Sequence, residues 1–244
     1  SSFPRHAPAP RGMSSRLEEV NTAVQALRDH SCVTSVRVAP VGTASAAAIK
    51  AWEDSRGGLK LPADFRAFLL ISDGLQVSWR GAVRGAPEEV GLMSLGGIGT
   101  IQEVPFDPGG TPEFASLPSP PSCVDIDPAC PAGRVCLLFF DTGPPQVWFQ
   151  ARGGEWGFVA RTFTDYFRLL TVHLGVPRWQ YMFSSGGLDP VARMWVAMLC
   201  PQRLEVMPTT TRHSRLGANR PEAHRPGSQQ HRPGSAPGRE PQSV

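Results

Sequence analysis

The chain has 244 residues, of which 41% are hydrophobic and 25 each are glycine and proline, which is enough for one domain of ordinary size with disordered ends. Its net charge of +3 comes from residues 201–244, which hold seven arginines and three glutamates, so the preceding residues sum to −1. This distribution argues against a nucleic-acid-binding domain, and no apolar run approaches the roughly 20 residues that a membrane span needs.

The N-terminal quarter predicts a disordered segment, then a helix, a strand and a second helix. Residues 1–13 are rich in proline and alanine, which favours disorder. Ser15 and Glu18 have the spacing of a capping box, followed by apolar residues at helical spacing as far as Leu27. Val33 to Val38 reads as a short strand. Residues 45–56 predict an alanine-rich helix.

The next stretch combines a helix with the clearest strand in the chain. Pro62 favours the start of a helix, which Gly74 ends. Leu75, Val77 and Trp79 then alternate with polar residues, which predicts a strand that buries one face. Residues 91–95 predict a second short strand.

The middle of the chain predicts a long loop and a hairpin. Residues 104–122 are rich in proline and indicate a surface loop or a disordered insertion. Residues 135–140 are almost wholly apolar, as in a central strand. Residues 147–150 and 156–160 predict two further strands, and residues 152–154 form the turn between them.

Residues 161–198 form the densest apolar and aromatic stretch. Thr162 suits the N-cap of a helix that Gly175 ends, and Asp189 and Pro190 suit the start of another helix. Because the strands are consecutive with short turns, they should pair antiparallel. We therefore predict an α+β fold in which helices pack mainly on one face of one antiparallel sheet, with a domain over residues 14–201 and a disordered tail over residues 202–244.

The search for catalytic and metal-binding residues finds no convincing candidate. The chain has no G-x-S-x-G motif, and His173 reads as a core histidine rather than a catalytic base. Residues 95–99 lack the lysine of a phosphate-binding loop. Asp125 and Asp127 read as solvated loop carboxylates. We predict no catalytic residue, no metal site and no cofactor.

Cysteine usage indicates the cellular compartment. The five cysteines are odd in number and scattered, and Cys123 and Cys130 have neither zinc-finger spacing nor a neighbouring histidine. Free thiols fit a reducing, intracellular compartment, so we expect a cytoplasmic protein.

Aromatic and arginine residues supply the best candidates for partner binding, because these residue types are enriched at interface hot spots. The candidates are Trp79, Arg80, Arg178, Trp179 and Tyr181. The alternative for each aromatic residue is burial in the core, which is the commoner place for a tryptophan.

Several short motifs resemble known sequences. A tryptophan-bearing helix at residues 51–53, the L-P-A-D-F start at residues 61–65 and the S-D-G turn at residues 72–74 resemble the Smi1/Knr4-like (SUKH) superfamily. The H-L-G-V-P-R-W-Q-Y run at residues 173–181 and the strand at residues 147–149 resemble, more specifically, a family of non-catalytic subunits of tubulin polyglutamylase complexes.

This resemblance implies a scaffolding or targeting subunit for a glutamate ligase. Its implied partners are the other subunits of the complex, including a tubulin-tyrosine-ligase-like catalytic subunit, and tubulin or microtubules. The implied location is the cytoskeleton, at microtubules or the centrosome. The alternative is an adaptor or immunity-like binding module unrelated to tubulin. Two departures from the family, the short proline-rich loop and the arginine-rich tail, carry no implied function.

Overall fold

The computed structural model describes residues 14–85 and 88–205. Over these residues it contains six α-helices, eight strands and two 3-10 helices. The α-helices are α1 (Ser14–Asp29), α2 (Ala46–Asp54), α3 (Ala63–Leu69), α4 (Phe163–Val172), α5 (Pro190–Leu199) and α6 (Gln202–Glu205). The strands are β1 (Val33–Val38), β2 (Leu75–Gly81), β3 (Glu89–Leu95), β4 (Gln102–Val104), β5 (Ser122–Asp125), β6 (Gly133–Phe139), β7 (Gln146–Ala151) and β8 (Trp156–Ala160). The 3-10 helices are Pro112–Phe114 and Trp179–Phe183.

The strands form two sheets in which all neighbours are antiparallel. The first sheet has the order β1-β2-β3, and the second has the order β4-β5-β6-β7-β8. Gly96, which follows β3, donates its N–H to the carbonyl of Ile126, which follows β5, at 2.8 Å. The predicted α+β class with antiparallel pairing is confirmed, and the strands are divided over two sheets where the sequence suggested one.

Local signals in the sequence explain where several helices begin. Ser45 accepts a hydrogen bond from Ala48 N, and Thr162 accepts one from Asp165 N, so both residues cap a helix as their side chains favour. Asp189 accepts from the first two N–H groups of α5, and Pro190 lies in its first turn. The predicted N-terminal signals of α4 and α5 are confirmed.

The main core lies between the helices and one face of each sheet. Phe65 and Phe68 of α3 contact Phe163 of α4, with ring centroids 4.5 and 5.4 Å apart. The same cluster includes Val77 of β2 and Phe149 of β7. The described helices therefore pack mainly on one side of the sheets, as predicted.

A second apolar cluster covers the opposite face of the second sheet. Its buried members are Phe114, Cys123, Cys136, Leu138, Trp148 and Trp156. Phe106 and Phe114 come from the proline-rich loop, and both rings lie within 6 Å of the Trp156 ring. Trp156 Nε1 also donates to the carbonyl of Asp107 at 2.7 Å. Of the two expectations, the stretch is a surface loop rather than a disordered insertion, and its aromatic residues pack on the sheet while most of its other residues are exposed or half-buried.

The predicted ends of the domain are tested only in part. Helix α6 (Gln202–Glu205) occupies the first residues of the predicted tail, which the sequence suggested to begin at residue 202. The expectations of disorder for residues 1–13 and 206–244 lie outside the described residues.

Candidate interaction surfaces

The His173 to Tyr181 segment connects α4 to the 3-10 helix Trp179–Phe183, and it is largely buried. His173 is fully buried, its ring stacks on Trp179 with centroids 4.4 Å apart, and its Nδ1 lies 2.6 Å from Leu169 O. Burial lowers the pKa of His173 to about 4, although the bond to Leu169 favours the charged form. The histidine is therefore neutral at physiological pH and structural, as the sequence suggested.

One end of this segment is fixed to the first sheet. Trp79 Nε1 donates to Leu174 O at 2.6 Å, and Leu92 N donates to Gly175 O at 2.8 Å. Gly175 has a φ of 64°, and a Cβ at this position would lie 2.5 Å from Leu92 C. Glycine is therefore required both by the left-handed backbone and by the close approach to β3.

The other end of the segment supports the second sheet. Tyr181 OH donates to Ala132 O at 3.1 Å, and Gln180 Nε2 lies 3.4 Å from Cys130 Sγ. The Tyr181 ring packs edge-on against Phe149 of β7 at 5.2 Å. The run that gives the sequence its family resemblance thus joins the two sheets.

The structure places the predicted partner-binding residues in two groups. Trp79 and Trp179 are each only 1% exposed, so the expectation that they form an accessible surface is wrong, and the alternative of core packing holds. Trp79 points inward because it lies on the same side of β2 as Val77, and Trp179 lies between the rings of His173 and Tyr166. Tyr181 is half-buried and uses its hydroxyl group internally.

The two arginines of the predicted set are on the surface. The Arg80 side chain is 63% exposed and its Nη1 lies 3.3 Å from Glu88 Oε1. Arg178 Nε lies 3.0 Å from Asp189 Oδ2, an ion pair outside hydrogen-bond geometry. Arg178 is the N-cap of the 3-10 helix and has a φ of 63°. Both arginines therefore remain candidates for contacts with partners.

Arg80 belongs to a polar surface on the first sheet, which we call the outer face. Strand register places it beside Ser35 and Val90, and the next pairs along the sheet are Arg37 with Ser78 and Ser78 with Leu92. The outer face consists of Ser35, Arg37, Gln76, Ser78, Arg80, Val90 and Leu92, all of them exposed or half-buried. Val90 is 54% exposed, the highest value among the exposed large apolar residues of the described chain.

A second surface feature is a groove of about 380 Å³ at one end of the second sheet, which we call the arginine groove. Its lining consists of Cys130, Pro131, Gly133, Arg134, Gln150, Ala151, Arg152 and Gly154. Arg134 of β6 pairs with Gln150 of β7, and the side chains of Arg134 and Arg152 are both exposed. The sequence search missed this groove, because its two arginines are separated by 18 positions and become neighbours only through strand pairing.

The two aspartates near the junction of the sheets are buried. Asp127 is 2% exposed and accepts a hydrogen bond from Ser94 Oγ at 2.6 Å, and Asp125 is 5% exposed. Burial raises the pKa of Asp127 to about 7, and it also raises the pKa of Asp125. The prediction of solvated loop carboxylates is wrong, because Asp125 ends β5 and the residues that follow it lie against the end of β3, where Ser94 and Gly96 bond to them.

Two further searches give negative results within the residues that the structure describes. Residues 14–85 and 88–205 contain no group of three or more His, Cys, Asp or Glu side chains that could hold a metal ion. None of the described helices is both long and apolar enough to cross a membrane.

Comparison of the sequence with known families identifies the family. The profile of the SMI1 / KNR4 family (SUKH-1) matches residues 43–169, which is more than half of the chain. The chain belongs to this family, as its motifs at residues 51–74 suggested.

Three curated relatives give a more specific likeness. The chain is 28% identical over 227 residues to the rat protein named tubulin polyglutamylase complex subunit 2, and this match covers 80% of the chain and 75% of the relative. The mouse protein of the same name gives the same identity and coverage. The human protein of that name is 27% identical over 215 residues, with 76% and 70% covered. No solved structure matches the chain.

Proposed function

We propose that this chain is a non-catalytic subunit of a tubulin polyglutamylase complex, in which it scaffolds the glutamate ligase or targets it to tubulin. The observation that carries the proposal is the similarity to three relatives named as subunit 2 of such a complex, which extends over most of both chains. The partners are then the other subunits, including a tubulin-tyrosine-ligase-like catalytic subunit, and tubulin itself. The location is then the cytoplasm, at microtubules or the centrosome.

The geometry supports a binding role for this subunit. The outer face combines a highly exposed valine with two exposed arginines on a rigid three-stranded sheet. Arginine is enriched at protein interfaces, and the buried centre of an interface is more apolar than the rest of a protein surface. We propose that Arg80 and Val90 form the centre of a surface that binds another subunit, and that Arg178 lies at its rim.

Burial of side chains in the motif at residues 173–181 also supports the proposal of a non-catalytic role. His173 is stacked and fully buried, and Tyr181, the other side chain of the motif that could exchange a proton, uses its hydroxyl group to donate to Ala132 O. A group that cannot reach a substrate does not transfer its proton, so the motif serves the fold.

Co-purification tests the proposal. The full chain, carrying an affinity tag, is expressed in cells and recovered, and the eluate is supplied with ATP, glutamate and tubulin. We expect glutamylated tubulin from the eluate and no product from the purified chain alone. Recovery of neither ligase activity nor tubulin would contradict the assignment to the complex, and modification by the isolated chain would contradict the non-catalytic role.

Two variants locate the binding surface. The double change Arg80→Glu and Val90→Asp reverses one charge and adds another on the outer face, so we expect recovered ligase activity to fall at least tenfold. Arg193→Glu makes the matched change at an exposed position on α5 and should leave recovery unchanged. Equal recovery by both variants would remove the outer face from the proposal. Recovery of other proteins, sensitive to the same variant but without ligase activity, would favour the adaptor alternative.

A further inference from the structure

The arginine groove is shaped by the backbone at one end of the second sheet. Gly133 pairs with Ala151 where β6 begins and β7 ends. A Cβ on Gly133 would lie 2.1 Å from Gln150 O, so the two strands approach closely only because this residue is glycine. The groove therefore has a floor of main chain, and the long side chains rise from its margins.

The two charged side chains that line the groove are both positive. The only ionisable side chains of the groove besides Cys130 are the guanidinium groups of Arg134 and Arg152. No carboxylate lines the groove, and Asp125, which interacts electrostatically with Arg134, is buried outside the lining with a pKa that burial raises. Burial raises the pKa of the Cys130 thiol to about 12, so the thiol stays uncharged. Two positive charges are thus uncompensated by any negative group in the lining.

The two guanidinium groups differ in how they are held. Arg152 donates from Nη2 to Pro131 O at 2.6 Å, which fixes its head at the margin of the groove. Arg134 makes no ion pair or side-chain hydrogen bond among the residues that the structure describes. One arginine is therefore pre-positioned, and the other is available to close on a ligand.

The loop below the groove is held in place by the motif that joins the sheets. Gln180 contacts Cys130 and Tyr181 donates to Ala132, so both residues support the Cys130 to Gly133 wall from the core side. A supported wall limits the entropy that a ligand must remove when it binds. The largely buried motif therefore helps to hold the wall of a surface groove in place.

We propose that the arginine groove binds an acidic peptide segment through its carboxylate side chains. A guanidinium group binds a carboxylate through two parallel hydrogen bonds, which favours carboxylate ligands over a neutral peptide. The groove volume is near the lower end of ordinary ligand pockets and larger than one carboxylate requires, so it accommodates a short run of residues.

The charge of the rest of the domain favours a peptide over a nucleic acid. The residues before 201 sum to −1, so this part of the chain lacks the net positive charge that is typical of a nucleic-acid-binding domain. Nucleic-acid binding relies on many phosphate contacts, and two arginines supply few of them. The proposal depends on the groove alone and extends the proposed function without resting on it.

A binding assay with defined peptides tests the proposal. A fluorescently labelled hexaglutamate peptide is titrated with the full chain at low ionic strength, and anisotropy is recorded. We expect saturable binding, no binding of hexaglutamine at the same concentrations, and no competition by an oligothymidylate of equal charge. Competition by the oligothymidylate at concentrations equal to hexaglutamate would overturn the choice of a peptide ligand.

Variants of the groove locate the binding. Arg134→Gln should weaken hexaglutamate binding by about tenfold, which corresponds to the loss of one charge-assisted pair at roughly 1.4 kcal/mol per tenfold. Arg37→Gln removes an exposed arginine of the first sheet and should leave the affinity unchanged. Arg152→Lys keeps the charge and loses the forked geometry, so its affinity should be intermediate.

The result that would overturn the proposal is equal affinity for the wild type and Arg134→Gln. Binding would then come from other cations, such as the seven arginines after residue 200. Arg134 is exposed and unbonded within the described chain, so its loss should not change folding, and equal thermal melting curves would verify this. The assay uses no ligase and no tubulin, so its outcome is separate from that of the co-purification experiment.

Discussion

The two sheets differ in how many of their faces are covered. The first sheet buries one face against the helices and presents the other to solvent, and β2 alternates accordingly between buried and exposed residues. The second sheet buries both faces, one in the main core and one under the proline-rich loop, and four consecutive residues of β6 are buried. The difference shows where the domain has completed its own packing and where a sheet surface remains open.

The comparison also separates structural from surface aromatic residues. Trp148 and Trp156 face outward from the second sheet, yet the loop covers both of them. The first sheet has no such cover, and its outer face carries polar side chains and one exposed valine in place of aromatic residues. We therefore associate partner binding with the open face and stability with the covered one.

The largest expected effect is on the buried face of the first sheet. Trp79→Ala should lower the free energy of unfolding by about 4 to 5 kcal/mol, because a buried indole is lost together with its bond to Leu174 and its contact with Trp195. Urea denaturation measures this loss. Gln76→Ala, on the outer face of the same strand, should change the free energy of unfolding by less than about 0.5 kcal/mol. Similar losses for the two variants would contradict the one-sided burial of this sheet.

The junction between the sheets should show a pH-dependent effect. The pKa of Asp127 is raised by burial from 3.8 to about 7, so the folded state keeps a proton that the unfolded state releases. The stability contributed by the protonated form is fully present below about pH 4 and is lost as pH rises to 7. The Asp127→Asn side chain stays uncharged at every pH. Its free energy of unfolding should exceed that of the wild type by about 4 kcal/mol at pH 8 and differ little from it at pH 4.

His173 should make the stability of the fold depend on pH in the opposite direction to Asp127, which allows the direction of each effect to be checked. Its pKa is lowered to about 4, so its contribution is present above the unfolded value of 6.5 and is lost as pH falls. The two slopes oppose each other between pH 4 and 6.5 in the wild type. In Asp127→Asn only Asp125, whose pKa burial also raises, still opposes His173, so the free energy of unfolding should fall less with rising pH than in the wild type. A difference between variant and wild type that stays constant from pH 4 to 8 would contradict the buried, protonated state of Asp127.

The cover on the second sheet should be the next largest contribution. Phe114→Ala should cost about 3 kcal/mol, because the ring is buried against Trp148 and Trp156. It should also increase quenching of tryptophan fluorescence by iodide, since the outward-facing indoles become accessible. Glu113→Ala, the exposed neighbour, should change neither quantity. If Phe114→Ala behaved like Glu113→Ala, the loop would not be part of the packed domain.

The smallest of these effects on stability should come from Gly175, where the segment of residues 173–181 that joins the two sheets approaches β3 closely. Gly175→Ala and Gly143→Ala both place a side chain at positive φ, which costs about 1 kcal/mol or more. Only at Gly175 would the new Cβ meet backbone within 3 Å, whereas nothing lies within 4 Å at Gly143. Thermal denaturation should show Gly175→Ala to be less stable by about 2 kcal/mol beyond the loss in Gly143→Ala, because main chain must shift. Equal losses of stability in the two variants would mean that the segment is not in close backbone contact with the first sheet.

Much of the fold could be predicted because its signals are local. The alternation from Leu75 to Trp79 indicated a strand with one buried face, and the continuous apolar run from Val135 indicated a central strand, which β6 is in the second sheet. Both predictions are confirmed, as are the caps at Thr162 and Asp189. These features depend on residues within one turn or one strand of each other, so a single sequence contains them.

The remaining features depend on which distant segments meet. Residue types enriched at interfaces suggested that Trp79 is exposed, whereas alternation placed it beside Val77, and the periodic signal was the correct one. The burial of Asp127 depends on Ser94, 33 positions away, and the arginine groove depends on the pairing of β6 with β7. No short-range pattern records such encounters, and so the sequence indicated neither.

The measurement that tests the central claim most directly is hydroxyl-radical footprinting of the tagged chain, alone and in its purified complex. The open outer face should become protected when partners bind, with the strongest loss of labelling at Val90 and at Leu92 beside it. Labelling of the loop residues Phe106 and Leu117 should stay the same, because the second sheet is already covered from within the chain. Unchanged labelling of Val90 in a complex that retains ligase activity would contradict the account.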